Sequence, residues 1–587
     1  MSAIYFSRAV SLVVVTAMAY LSLGTQGVRA QGLPDFETIA LSGEQVTGED
    51  EGVLFVSFTN RTINSSGQVA FQGFLIGDLP NGFVTRTLYS NASGTLTQVA
   101  RAGDQAPGAN NDVLFDNFGF SSSPVLNNSG QLAFFGSLTG NGVDSSNNSG
   151  IYTENSGALA QIAREGEPAP GGSGDVFTNF ENPVINDVGQ TAFSAGLSGN
   201  NFGIYSEGSG VLAEVARTGD SAPGAGNGVV FSEFSIPVFN DLGQTAFLAE
   251  LSGTGVDSSN RDGIYSEAFG TLTQIARTGD QVPDAASGVV FRDLEIPVLN
   301  VSGELVFEAE LTGTDVEFSN RDGIYSNGSG TLEEVARTGD RVPGESDDVN
   351  FGGFLGDPVL NASGQIALNG FLVGDDVDSS SREGMYLTDL NGQLTEVVRA
   401  GSPAPTVASG ITINSFNSIV LNAAGQLAFV SNLEGPNVDE EYFDNDTGIY
   451  ATNQNGELIQ IAREGNFFDV NNDPLVEDLR QITVVTFIGN TGNVDGRGSG
   501  FNDFGQIVFG LNFTDGTSGV FVSNLVATVP EPLLGDVNLD GTVNFFDIAP
   551  FIALLTNNGF QAEADIDQNG EVNFADILPF IGILSDS

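Results

Sequence analysis

The residues with the clearest chemistry lie near the end of the chain. Asp536, Asn538, Asp540, Thr542, Asn544 and Asp547 occupy positions 1, 3, 5, 7, 9 and 12 of one stretch, and Asp565, Asp567, Asn569, Glu571, Asn573 and Asp576 occupy the same positions of a second. Hard cations such as Ca²⁺ take oxygen ligands at this spacing: side chains from positions 1, 3, 5 and 12, the backbone carbonyl at 7, and position 9 often through water. Gly541 and Gly570 stand at position 6, where the chain must turn sharply. Asp at position 12 reaches less far than Glu and makes bidentate ligation there less secure. The pattern predicts two Ca²⁺ ions, one per loop.

Composition points the same way by exclusion. The 587 residues carry 74 acidic and 18 basic side chains, for a formal net charge of −56, and there is no His, Cys or Trp. Every basic residue is Arg. A Ser-His-Asp triad, a Cys-His pair, a Schiff-base lysine and a P-loop lysine are therefore excluded, as are disulfides. Zinc, copper and haem sites lack their usual ligands, which leaves metals that accept oxygen donors. Such acidity also argues against nucleic acid and anionic membrane surfaces as partners.

Each loop runs into Asp-Ile-x-Pro-Phe-Ile. Ile548, Phe551, Ile552 and Leu555, and likewise Ile577, Phe580, Ile581 and Leu584, fall at helical spacing and predict two short amphipathic helices. Pro550 and Pro579 sit in the first turn, where a missing N–H costs little. Such a small core needs metal to fold. Residues from about 533 to 587 thus resemble a type I dockerin. The resemblance implies a Ca²⁺-dependent module that docks onto a cohesin-type partner, often in extracellular polysaccharide-degrading systems. The sequence departs from that pattern at positions 10 and 11, where Phe545-Phe546 and Phe574-Ala575 replace small polar pairs and no Lys follows, which leaves docking within the chain as an alternative.

Most of the remaining chain is one unit written eight times. Asn-x-x-Gly, usually followed by Gln-x-Ala-Phe, begins at Asn64, Asn127, Asn186, Asn240, Asn300, Asn361, Asn422 and Asn502, with spacings of 63, 59, 54, 60, 61, 61 and 80. A second signature places Arg after Ala or Val, at Arg101, Arg164, Arg217, Arg277, Arg337, Arg399 and Arg463, and a Gly-Ile-Tyr triplet lies between the two. A fixed period near 60 marks a repeat architecture. In the unit around Asn240, four strands are expected: A over 228–239, B over 244–251, C over 263–266 and D over 271–277, with one bulge or a face switch in D because Leu272 and Ile275 do not alternate.

Four antiparallel strands per unit match a β-propeller blade. The fold class is therefore all-β, a propeller-like domain of about eight four-stranded units followed by the small helical module. Residues 36–58 read as strands D and A, and 506–525 as B and C, so the ends complement each other and closure leaves no open edge. The last strand A is expected near Ile482 to Ile488. An open solenoid is the rival architecture. The Asn-x-x-Gly-x-x-Ala-Phe signature, over about residues 36 to 525, resembles a family of secreted bacterial tandem-repeat proteins with varied C-terminal attachment modules; the resemblance brings no established activity.

The expected organisation is a signal peptide over 1–30, the repeat domain over 31–528, a linker over 529–534 and the dockerin-like domain over 535–587. Arg8, the apolar run from Ala9 to Leu23 and Val28-Arg29-Ala30 read as an export signal, so a secreted or cell-surface location without a membrane span in the mature chain is expected.

Within the repeat domain, the long B–C and D–A connections share one rim and carry the polar residues, so Asp257, Asn260, Asp262 and Asp280 are candidates for binding a glycan or Ca²⁺, beside the plain alternative of a solvated loop. The repeated Arg is expected to pin the D–A loop through carboxylates or carbonyls. The reading is a non-catalytic binding protein attached through its C-terminal module. The alternative is a glycoside hydrolase or polysaccharide lyase working through carboxylates, whose site would appear as a break in repeat symmetry; the strongest such break is the last unit, 440–446 and 466–501.

Overall fold

A computed structural model describes residues 34–527 apart from short loop stretches (79–83, 111, 120–123, 156–157, 173, 347, 376, 406–409, 437, 439–444, 474 and 490–493), and from the C-terminal region 534–535, 537, 543, 547–557, 564–566 and 572–586. The expected signal peptide lies outside the described residues. Two compact units emerge, Phe36–Ala527 and a second built from the chain ends.

The larger unit is an eight-bladed β-propeller. Blade 4 shows the plan: an outer strand Val229–Phe234 continued by an inner piece Val238–Phe239, then Thr245–Gly253, Asp262–Ser266 and Thr273–Arg277, paired antiparallel in that order. Pro237, which cannot donate to a ladder, separates the two pieces of strand A. The expected bulge in strand D is there, where the register slips between Gln274 and Ala276. Blade 8 combines both ends of the unit: Leu479–Thr486, Ile507–Phe513, Ser518–Ser523 and, from the N-terminal side, Phe36–Leu41. Strand A of that blade lies close to where the sequence placed it.

Alternation along strand C explains how blades pack. Ile264 faces forward into a cluster with Phe291, Phe307 and Tyr325 of blade 5, while Tyr265 faces back into one with Phe231, Phe247 and, from blade 3, Ile204. Phe247 stacks on Tyr265 at 6.1 Å and Phe231 meets it edge-on at 4.8 Å. Each such buried ring contributes roughly 2–3 kcal/mol of transfer free energy. Gly263 is required because the Tyr265 ring folds back over it: a Cβ there would lie 2.9 Å from the ring.

Closure is written in the signature asparagine. The Asn240 Oδ1 accepts from the backbone N–H of Leu242 and Gln244, and its Nδ2 donates to Gln244 Oε1 and across to the carbonyl of Asn300 in the next blade. The same bond links Asn64 to Asn127, Asn127 to Asn186, Asn186 to Asn240, Asn300 to Asn361, Asn361 to Asn422 and Asn422 to Asn502, at 2.7 to 3.2 Å. Asn502 then donates to the carbonyl of Asn64 at 2.8 Å, and the ring of eight is complete. All eight side chains are buried. A solenoid has no partner for the last donor, so the ring excludes that rival.

In the smaller unit, helices α1 (Ile548–Asn557) and α2 (Ile577–Asp586) bury Phe551 against Phe580, stacked at 4.1 Å. Ile548, Leu555, Ile577 and Leu584 join this core as the sequence predicts, but Leu554 and Ile583 pack there in place of Ile552 and Ile581. The facing stripe is thus rotated slightly from the expected one. Among the described residues no helix is long and apolar enough to cross a membrane.

Candidate binding rim and calcium module

The B–C and D–A connections meet on one rim, and the repeated Arg ties them together. The Nε of Arg164, Arg277, Arg337, Arg399 and Arg463 donates to the carbonyl of Asn147, Asn260, Asn320, Ser381 and Asn445 in the B–C loop of the same blade, at 2.7 to 3.1 Å. The terminal nitrogens reach the D–A loop that enters the blade: Arg101 to Glu49 at 2.7 Å, Arg217 to Asp175, Arg399 to Glu345, and Arg277 to the Ala225 carbonyl at 3.2 Å. The Arg therefore pins two loops rather than one.

All four rim residues singled out from sequence are engaged locally. Asp257 Oδ1 accepts from the N–H and hydroxyl of Ser259, and Asn260 closes the same turn through Asp257 N–H and the Gly255 carbonyl. Hydrogen bonds from Ser259 hold the Asp257 carboxyl below its ordinary range. Asp280 accepts from Gln274 at 2.8 Å. Asp262 lies 3.5 Å from Arg261, with its N–H on Thr278. Asp257 and Asn260 thus shape the loop, and Asp262 and Asp280 stand at its edge.

The break in symmetry has a structural purpose that the sequence did not disclose. The hairpin of Phe467–Asp469 with Leu479–Thr486 enlarges the last D–A connection, and Asn472 bonds both N–H and carbonyl of Thr38, latching the N-terminal strand. Residues 494–501 then cross the inner ends of the blades. The carbonyls of Asp495, Gly496 and Ser499 accept from Phe239, Ile185 and Ile63 of blades 4, 3 and 1, and Arg497 reaches the Pro297 carbonyl of blade 5. Asp495 is fully buried and pairs with Arg497 at 3.2 Å. Residues 439–444 of the other irregular stretch lie outside the described residues.

Carboxylates do gather on the inner side of blades 5 to 7. Burial, and then Asp322, Glu295 and Asp357, push the Glu308 carboxyl up to about 7. A cavity of about 350 Å³ between blades 6 and 7 is lined by Asp357 and Glu383, with Glu383 accepting from the Phe416 N–H at 3.3 Å. Burial likewise raises Glu464 to about 7.

In the smaller unit, Asp547 and Asp576, at position 12 of the two loops, are wholly buried and Asp565 nearly so. Asp576 Oδ2 accepts from the Asn573 N–H at 2.8 Å. No basic residue occurs from 528 to 587, so that segment supplies no cationic side chain to balance these buried carboxylates. The donor set, all oxygen, fits Ca²⁺. Asp536, Asn538, Asp540, Thr542, Asn544, Asp567, Asn569 and Glu571 lie outside the described residues.

Residues 15–203 and 198–535 match DUF7453, a family of unknown function. The chain belongs to that family. The DUF7453 propeller is followed by a match to the dockerin type I domain over 534–584, a class of module that binds calcium. No curated protein matches the chain. Among solved structures, the β-propeller domain of the Trilobed protease from Pyrococcus furiosus is similar at 10% identity and a TM-score of 0.34, over 70% of this chain and 99% of that one. An oligogalacturonate lyase in complex with manganese gives 11% and 0.33 over 70% and 95%, and a puromycin hydrolase 13% and 0.33 over 78% and 58%. Likenesses this distant carry no argument about what the DUF7453 propeller does.

Proposed function

We propose that this chain is a secreted, non-catalytic display protein. Its propeller offers the B–C and D–A rim, with Asp257, Asn260, Asp262 and Asp280 at one blade, to an extracellular glycan. Its C-terminal module, loaded with two Ca²⁺ ions by Asp536, Asn538, Asp540, Thr542, Asn544, Asp547, Asp565, Asp567, Asn569, Glu571, Asn573 and Asp576, attaches it to a cohesin-type or cell-surface partner. The observation that carries this reading is the dockerin type I match in a segment whose buried carboxylates have no basic neighbour in sequence. The test is titration of the mature chain with Ca²⁺ and then with a type I cohesin module by calorimetry. Two calcium sites and calcium-dependent cohesin binding are expected; absence of either ion, or cohesin binding that survives EDTA, overturns it.

A second reading, a carboxylate-dependent glycoside hydrolase or lyase, draws on Glu308, whose raised pKa suits a general acid at neutral pH. Turnover of a polysaccharide that Glu308→Gln abolishes would establish it in place of the first.

A further inference from the structure

The rim breaks repeat symmetry at one place where two independent departures face the same groove. In the B–C loops, the position after the leading acidic residue is Ser145, Ser258 and Ser379 in blades 2, 4 and 6, but Phe318 in blade 5. Phe318 opens a single 3₁₀ turn, Phe318–Asn320, and is 76% exposed. Across the groove, the residue after the register-matched Phe of strand A is Ser232 in blade 4 and Arg292 in blade 5, but Gly352 in blade 6. A bulky apolar ring has been added on one wall and a side chain removed from the other. The resulting groove, about 580 Å³, falls within the usual range of ligand pockets, about 300–1,000 Å³.

Its polar groups are placed for hydroxyls. Arg337, Asp340 and Asn350 line it with Phe318 and Gly352. Arg337 spends its Nε on the Asn320 carbonyl. The D–A residue matched to Glu49 and Glu345 is Ala285 here, so the carboxylate that occupies the terminal nitrogens of Arg101 and Arg399 is missing. Among the described residues those nitrogens of Arg337 have no hydrogen-bond partner, and Arg337 lines the groove together with an acceptor, Asp340. Arg321 covers one face of Phe318 at 4.5 Å and forms no part of the groove wall.

Resting on the rim reading above, we propose that the groove between blades 5 and 6 is a subsite for one hexopyranose ring of an uncharged glycan. The apolar C–H face of the sugar packs on Phe318, and vicinal hydroxyls accept from Arg337 and donate to Asp340. A net charge of −56 repels polyanions, which selects a neutral chain.

The test is affinity gel electrophoresis of the full chain in Ca²⁺ against β-glucan, galactomannan and, as the anionic control, polygalacturonate. At least one neutral polysaccharide is expected to retard the wild type. Phe318→Ser, which restores the residue of the sister loops, should weaken binding tenfold or more at unchanged Tm, and Gly352→Arg, which refills the wall and must displace Val373, should weaken it as much with a lowered Tm. Phe269→Ser, on the opposite rim, should leave it unchanged. Wild-type binding that survives Phe318→Ser and Gly352→Arg defeats the subsite while leaving a glycan-binding rim. Retardation by no polysaccharide, or by polygalacturonate alone, defeats both. Cohesin binding is read separately and is untouched by either variant.

Discussion

The propeller and the C-terminal module solve the problem of buried polarity in opposite ways. In the propeller, every signature Asn spends its oxygen and nitrogen within the protein, and the Arg residues are matched to carboxylates and carbonyls. In the module, fully buried Asp547 and Asp576 sit in a segment without one basic side chain. The first is a fold complete in itself; the second is written for an ion. The lesson is that the same acidic composition serves as solubilising surface in one region and, on the function proposed above, as a coordination sphere in the other.

The sharpest way to break this contrast is to remove calcium. EDTA should unfold the module outright, with loss of the helical signal from α1 and α2 and of NMR dispersion there, while the propeller keeps its sheet signal and Tm. Restoring calcium to about a thousand times its dissociation constant returns about 4 kcal/mol per site to the module. A propeller that melts with it would erase the distinction.

Next in size is the ring. Asn240→Ala deletes the side chain's hydrogen bonds to its own turn and to the next blade and strands the Asn300 carbonyl and two turn N–H groups, at a cost of about 2–4 kcal/mol in denaturant unfolding. Asn502→Ala, at the seam where the two ends meet, should cost at least as much and also speed proteolysis of the N-terminal strand. Equal loss from an Asn in a surface turn such as Asn453 would show that the ring holds no special place.

Gly263→Ala forces a methyl against the Tyr265 ring and should cost about 1–3 kcal/mol through overpacking, with the module unaffected.

The smallest effect concerns pH. Glu308 and Glu464 have folded values near 7 against an ordinary 4.5, so the folded propeller holds these protons more tightly than the unfolded chain. Their cost is absent below 4.5 and grows as pH rises toward 7. Raising pH from 5 to 8 should lower the propeller Tm, and Glu308→Gln should recover about 2–4 °C at pH 8. An unchanged Tm profile in that variant would show that Glu308 is paired or solvated in a way that leaves its proton untouched.

Much of the fold was legible because it repeats. The four strands of the Asn240 unit, the bulge at Ile275, the complementary ends and the last strand A all followed from pattern and turn chemistry. The Asn ring was not legible, because each donor's partner is a backbone carbonyl, 54 to 80 residues away in seven of the bonds and 438 in the closing one, and carbonyls leave no trace in sequence. The stretch 494–501 looked like a broken site for the same reason: its contacts run through main-chain atoms to four blades. The groove beside Phe318 was hidden differently, since its two walls belong to units 5 and 6 and neither departure means anything until they are set side by side.

The seam has a consequence for how such a chain can change over generations. In a linear stack, recombination adds or drops a module and the array simply grows or shrinks. Here a ninth copy would push Asn502 away from Asn64 and strand the first and last strands of the same sheet on opposite sides of a gap. The number of copies is frozen by geometry, so novelty has to arrive by altering single copies in place, as blade 8 with its inward-folded segment already has.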